Sequence, residues 1–528
     1  MKLKKIIPVL FFLITSGYLF SQDTLWHLKD ANDDNIPGVS LNKAYQFLKE
    51  KNKTSKTVIV AVIDSGVDTN HIDLKTNIWT NPNEIPGNNI DDDHNGYIDD
   101  IHGWNFIGGK DGKNVDGDNL ELARLYKIYS QKYLDKTESE IEKQNKTDYE
   151  YWLKIKADFE TQRDKNKEEY EWLKKFKLNF LEIDEILAKE IGKKDFDSTD
   201  LANYHPTSDR TKSIKEYYQR IMKAGITRNL LISEYENAKS WYEVKLNPDY
   251  QTRNIIGDDE SNLNDIYYGN NDVKAGTSSH GTHVAGIIGA IRGNGIGTEG
   301  IADNVKIMVI RVVPGGDEHD KDVALAILYA VKMGAQIINC SFGKDYSPQR
   351  EFVEKAIKFA EANNVLIVHA AGNDNSDNDK GNNFPTSVYL NGLRCKTWID
   401  VGASTSEKGK NLVATYSNYG KTTVDIFAPG SQIFSCSPGD EFSFASGTSD
   451  ASPVVAGIAA LVLSYYPMLT AVELKDIIEK SSVKYYKQKV YIPGKGKKKT
   501  KFRNLCISGG VVNAYEAVKL AEYLTPKN

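Results

Sequence analysis

Thr57-Val58-Ile59-Val60-Ala61-Val62-Ile63-Asp64-Ser65-Gly66 decides the fold class. Residues 58–63 are all apolar, and all but Ala61 are β-branched. Such a run reads as a strand covered on both faces. Comparable runs recur at 305–313, 336–340, 365–369 and 424–428, with helical patterns at 322–333 and 351–363. Strands alternating with helices indicate βαβ units around a parallel sheet. The alternation occupies 57–117 and 251–515. It predicts an α/β fold, a parallel sheet flanked by helices on both faces.

Composition narrows the function. The chain has 528 residues, enough for two to four domains or one large domain with an insertion. Apolar residues at 40% and charged residues at 26% are globular values. Lys plus Arg is 67 against 72 for Asp plus Glu, so no basic excess is available to grip nucleic acid. Four cysteines, Cys340, Cys395, Cys436 and Cys506, are too few for a disulfide scaffold and include no C-x-x-C pair for zinc. Their pairing, if any, is not readable.

Residues 1–21 have the three-part pattern of a secretory signal peptide. Lys2, Lys4 and Lys5 start it, 6–20 is apolar but short, and Ser21 offers a small residue for cleavage. Removing it takes the formal charge from −5 to −8. The product is expected to be exported (periplasmic, cell-surface or extracellular), without stable membrane insertion. Residues 22–57 are too few for an independent pro-domain. Trp26, Ala44, Tyr45 and Leu48 read instead as an N-terminal strap on the core.

Residues 121–250 differ from the rest, with 51 charged residues in 130. No Gly or Pro occurs from 121 to 190, and Leu173, Phe176, Phe180, Ile183 and Leu187 share one helix face. Long amphipathic helices folding back as a hairpin are expected, the stripe for packing and the charges for solvent. This insertion makes up most of the 215 residues between Asp64 and His280. The sheet domain is then 58–120 with 251–517, and 518–528 is a short tail.

Three segments carry chemistry. Asp64 ends the strand 58–63, where open α/β sheets build their sites. His280 opens His280-Gly281-Thr282-His283-Val284-Ala285-Gly286, whose small residues permit close helix packing. The spacing of His280 and His283 is not a metal motif, because H-E-x-x-H is absent. Ser449 lies in Ser446-Gly447-Thr448-Ser449-Asp450-Ala451-Ser452-Pro453, ahead of an apolar helix. There its hydroxyl sits beside free helix-start N–H groups. Each residue alone fits a cap or turn role. Together they are the carboxylate, imidazole and hydroxyl that acyl transfer by serine requires.

In that order these segments resemble the motifs of the subtilases, the subtilisin-like serine proteases, over 57–517 apart from the insertion. The resemblance implies that Asp64, His280 and Ser449 are a catalytic triad. It makes Asn373, in Val368-His369-Ala370-Ala371-Gly372-Asn373, the oxyanion-hole donor. It places Ser341, Phe342 and Gly343 on one wall of a substrate cleft and Ala371 and Gly372 on another. The function implied is an exported serine endopeptidase acting on protein or peptide substrates through an acyl-enzyme. The alternative is a catalytically silent subtilase fold that binds peptides. No organic cofactor is implied, and oligomeric state is unreadable.

Two further features stand out. Asp450 follows Ser449 where the family usually has an apolar residue. It either lies near His280 and favours the imidazolium, or faces away and caps the helix. Residues 91–100, Asp-Asp-Asp-His-Asn-Gly-Tyr-Ile-Asp-Asp, resemble the first half of an EF-hand loop. Asp91, Asp93, Asn95, Tyr97 through its carbonyl, and Asp99 or Asp100 are candidate ligands for a structural calcium ion. His102 at the twelfth loop position departs from the full motif.

Overall fold

A computed structural model of the chain describes residues 24–276 and 278–525. The signal-peptide reading therefore lies outside the described residues. The chain divides into two compact units, one of residues 122–250 and one built from the segments before and after it.

The larger unit is built on a nine-stranded sheet. Its strands are β1 (Val58–Asp64), β2 (Gly103–Asn105), β3 (Val305–Arg311), β4 (Ile337–Cys340), β5 (Leu366–Ala370), β6 (Trp398–Ser404), β7 (Ile426–Pro429), β10 (Val483–Lys484) and β13 (Gly510–Val511). Two hairpins, β8–β9 (Ile433–Ser437 and Glu441–Ala445) and β11–β12 (Lys489–Tyr491 and Lys499–Lys501), complete the numbering. The order across the main sheet is β10-β13-β7-β6-β5-β4-β1-β3-β2, parallel except for the β10–β13 pair.

Alternate residues of each strand enter different cores, as the two-residue period requires. Val60 and Val62 of β1, Ile307 of β3 and Val368 of β5 join a core with the Ser279–Gly289 and Thr448–Tyr465 helices. Ala61, Ile63, Met308 and Ile367 join the opposite core, with the Asp320–Lys332 and Arg350–Ala362 helices. This is the α/β architecture expected, with helices on both faces.

The segment before β1 packs on the first core. Trp26, Ala44 and Leu48 are buried there, Tyr45 partly so, and the Trp26 indole donates to Ser431 O and Gln432 O at 3.1 Å. The C-terminal segment corrects the sequence reading. It is not a tail from 518 but part of an Ala514–Leu524 helix that buries Val518 and Ala521 against the same core. The Thr448–Tyr465 helix is long and apolar enough to cross a membrane by composition. However, 83% of its apolar window is buried inside the protein. All four cysteines are buried free thiols.

The 122–250 unit centres on a 46-residue helix, Lys146–Ile191. Asp209–Lys223 and Arg228–Ser240 fold back along it. Leu173, Phe180 and Leu187 are buried in the core of this unit, with Phe176 and Ile183 packed beside them.

Candidate active site

Asp64 is the last residue of β1, and His280 lies in the first turn of the Ser279–Gly289 helix. Asp64 Oδ1 accepts from the Ser65 N–H at 2.7 Å and lies 2.8 Å from His280 Nδ1. The glycines make this approach possible. A Cβ on Gly281 would lie 2.2 Å from Gly66 O and 3.2 Å from Asp64 Cβ. Asp64 is buried, whereas the His280 side chain is 47% exposed. Desolvation pulls the imidazole pKa down, but the Asp64 charge, its hydrogen bond and the Asp450 charge outweigh it. The net result is a pKa raised to about 9.

Ser449 is the second residue of the Thr448–Tyr465 helix. Its N–H is one of the first-turn groups that have no partner within a helix. Two neighbours hold its backbone. The Ser341 hydroxyl donates to Ser449 O at 2.9 Å, and Asn373 Oδ1 accepts from the Thr448 N–H at 2.8 Å. That second bond turns the Asn373 Nδ2 the other way. A Cβ on Gly447 would lie 2.6 Å from Ser449 Oγ and 3.5 Å from Asn373 Nδ2. The bare Cα of Gly447 therefore leaves a space bordered by both the hydroxyl and the amide. Such a space suits an oxyanion held by the Asn373 side chain and a helix-start N–H.

The candidate wall residues separate into two groups. Gly343 is exposed and Gly372 half-buried, but Ala371 is buried in an apolar cluster. Ser341 is also buried, its hydroxyl 2.8 Å from that of Ser452 and committed to the serine backbone. Those two side chains point into the protein rather than to its surface. Phe342 is buried in the second core, and its carbonyl lies 2.9 Å from His369 Nε2.

Asp450 turns inward, and the helix-cap alternative falls. It lies 2.9 Å from His283 Nδ1, both side chains being buried. No local spacing points to this partner, which is 167 positions away.

The acidic loop also sorts itself. Asp93 and Asp100 converge with Glu84, their ligand atoms all within 4.8 Å of one another. Asn81 Nδ2 donates to both Asp93 (3.0 Å) and Asp100 (2.7 Å). The other candidate side chains are held by hydrogen bonds or packing within and around the loop. Asp99 accepts from the Gly87 and Asn89 N–H groups, each at 2.9 Å, and Asp91 from those of Asn95 and Gly96 at 3.0 and 2.8 Å. Asn95 donates its amide to Asp100 at 3.0 Å, and the Tyr97 ring is buried among aromatics. Glu84, seven residues before Asp91, was missed because nothing in the local spacing announces it. Desolvation raises the Glu84 pKa and pushes that of Asp100 up to about 6.

The subtilase family model matches residues 55–504, and the chain belongs to that family. It is 36% identical over 242 residues to a thermophilic serine proteinase of Bacillus sp. (strain AK1), covering 46% of this chain and 52% of that protein. It is 35% identical over 229 residues to a cell wall-associated protease of Bacillus subtilis (strain 168), covering 43% and 24%. Subtilisin DY of Bacillus licheniformis is 33% identical over 200 residues, covering 38% of this chain and 68% of that one. The chain thus spans about half or less of the first two relatives.

Proposed function

We propose that the protein is an exported serine endopeptidase. The observations that carry this reading are the 2.8 Å contact of Asp64 with His280 and the placing of Ser449 Oγ and Asn373 Nδ2 on the same side of Gly447. His280 removes the Ser449 proton as Oγ attacks the scissile carbonyl. Asn373 Nδ2 and the Ser449 N–H hold the oxyanion. His280 then protonates the leaving amine, and water repeats the sequence on the acyl-enzyme. Asp64 fixes the tautomer of His280 and stabilises its imidazolium without taking the proton. An extended substrate backbone would add beside Phe342 and Gly343 as an extra strand.

Calcium would bind at Glu84, Asp93 and Asp100. The donor set is all hard oxygen, which suits this ion, and the three ligand atoms lie within 4.8 Å of one another. Its contribution would be structural. The pattern of residues 1–21 supports export.

A fluorophosphonate probe tests the proposal. It should label the wild type covalently and fail on Ser449→Ala, which should lose about 10⁶-fold in peptide hydrolysis, the loss known for removing this serine in subtilisin. A wild type that takes no label sinks the peptidase reading.

A further inference from the structure

The helix carrying His280 also carries His283 one turn later, and Ser449 is followed at once by Asp450. His283 Nδ1 and Asp450 Oδ1 are 2.9 Å apart, within ion-pair distance, with side-chain exposures of 6% and 5%. His283 Nε2 lies 3.2 Å from the carbonyl of Ser443 in β9. Nδ1 thus faces the Asp450 carboxylate within ion-pair distance, though not in hydrogen-bond alignment, and Nε2 faces the Ser443 carbonyl. The Ser435 hydroxyl of β8 donates to His283 O at 2.7 Å and holds the same turn from behind. The ionisable groups that sense Asp450 are His280, on the same helix as His283, and Tyr416, from the segment after β6.

We infer that His283 and Asp450 are positioning residues. They form an ionic clamp that joins the helix of the base to the helix of the nucleophile, and so set the approach of Ser449 to His280. This rests on the peptidase reading above. The clamp is well placed for the task. Asp450 is covalently next to the nucleophile, and His283 is stacked one turn beyond the base. Ser341 and Asn373 grip the serine segment from other directions, through Ser449 O and the Thr448 N–H. Only the Asp450–His283 contact runs directly between the two helices among these three restraints. Its burial matters too. An ion pair with so little water around it has few alternative geometries, and removing one partner leaves the other charge stranded.

The test uses the full-length enzyme and four proteins: wild type, Asp450→Asn, His283→Leu, and the double variant Asp450→Met with His283→Leu. Rates are expressed per site titrated by the fluorophosphonate, which removes any loss of folded protein from the comparison. Each single variant should lose roughly 10-fold in kcat with KM little changed, short of the ~100-fold that a 1 Å misplacement costs. The double variant should recover part of that loss, because two apolar side chains restore helix contact without a stranded charge. The acidic limb of kcat/KM should move to lower pH in Asp450→Asn and to higher pH in His283→Leu, where Asp450 acts on His280 unbalanced. Single variants with wild-type kcat per titrated site and unmoved acidic limbs overturn the clamp while leaving the peptidase reading intact. A wild type that takes no label overturns both.

Discussion

The sheet unit and the 122–250 unit bury their apolar groups by different means. The first encloses branched aliphatics between a sheet and helices on both of its faces. The second relies on rings. Tyr170 stacks on Tyr242 at 5.4 Å, Phe180 on Tyr218 at 5.0 Å, and Lys177 sits 3.7 Å over Tyr235. A layered interior can hold polar groups away from water at fixed geometry. Asp64, Asp450, His283 and His369 are all buried there with partners. The helical unit leaves most of its charges wet, where pairing contributes little. The candidate reaction chemistry therefore lies in the first unit.

The contrast makes its largest claim at Asn373. Asn373→Ala should lower kcat by about 100- to 1000-fold with KM nearly constant, the range known for one oxyanion donor. Steady-state kinetics on a short peptide decide it, and a loss confined to KM would recast Asn373 as a binding residue. Leu187→Ala probes the other unit. Leu187 is fully buried. The change should destabilise that unit by about 2–5 kcal/mol in denaturant unfolding and leave short-peptide turnover alone. Turnover that falls in step would show that the division of labour is wrong.

Acidity separates stability from activity within the sheet unit. With the His280 pKa raised to about 9, the Asp64–His280 attraction is fully present below the ordinary histidine range and fades as pH rises through about 9. Activity has the opposite sign, because only neutral imidazole accepts the Ser449 proton. Between about pH 6.5 and 9, kcat/KM should rise while this pair's contribution to the melting temperature declines. A pH–rate profile already flat at pH 7 would break the link. The smallest effect is expected from metal removal. Asp100 ionises only as pH rises through about 6, so calcium should raise the melting temperature more at pH 8 than at pH 5. Glu84→Gln should reduce that gain, and a melting point indifferent to chelator at pH 8 removes the metal.

Much of this was legible before folding. β1, β3, β4, β5 and β7 are near-continuous apolar runs, and the three motifs sit at their expected element ends. β6 escaped notice because Asp400 and Gly402 interrupt its run. Asp400 is tolerated there because His369 Nδ1 lies 2.9 Å away and Arg394 is close by. The failures share a cause. Glu84 joining Asp100, the Ser341 hydroxyl gripping the Ser449 carbonyl and Asp450 meeting His283 are all contacts between residues far apart in sequence or unmarked by local spacing. Only chain crossings decide them, and periodicity does not encode crossings.

The four buried free thiols carry a last consequence. Burial raises the thiol pKa of every one, so the nucleophilic thiolate is scarce. The native state forms without oxidation and should resist alkylating agents until it opens. Because none of the four thiols is paired, no disulfide bond has to form for this fold to be reached.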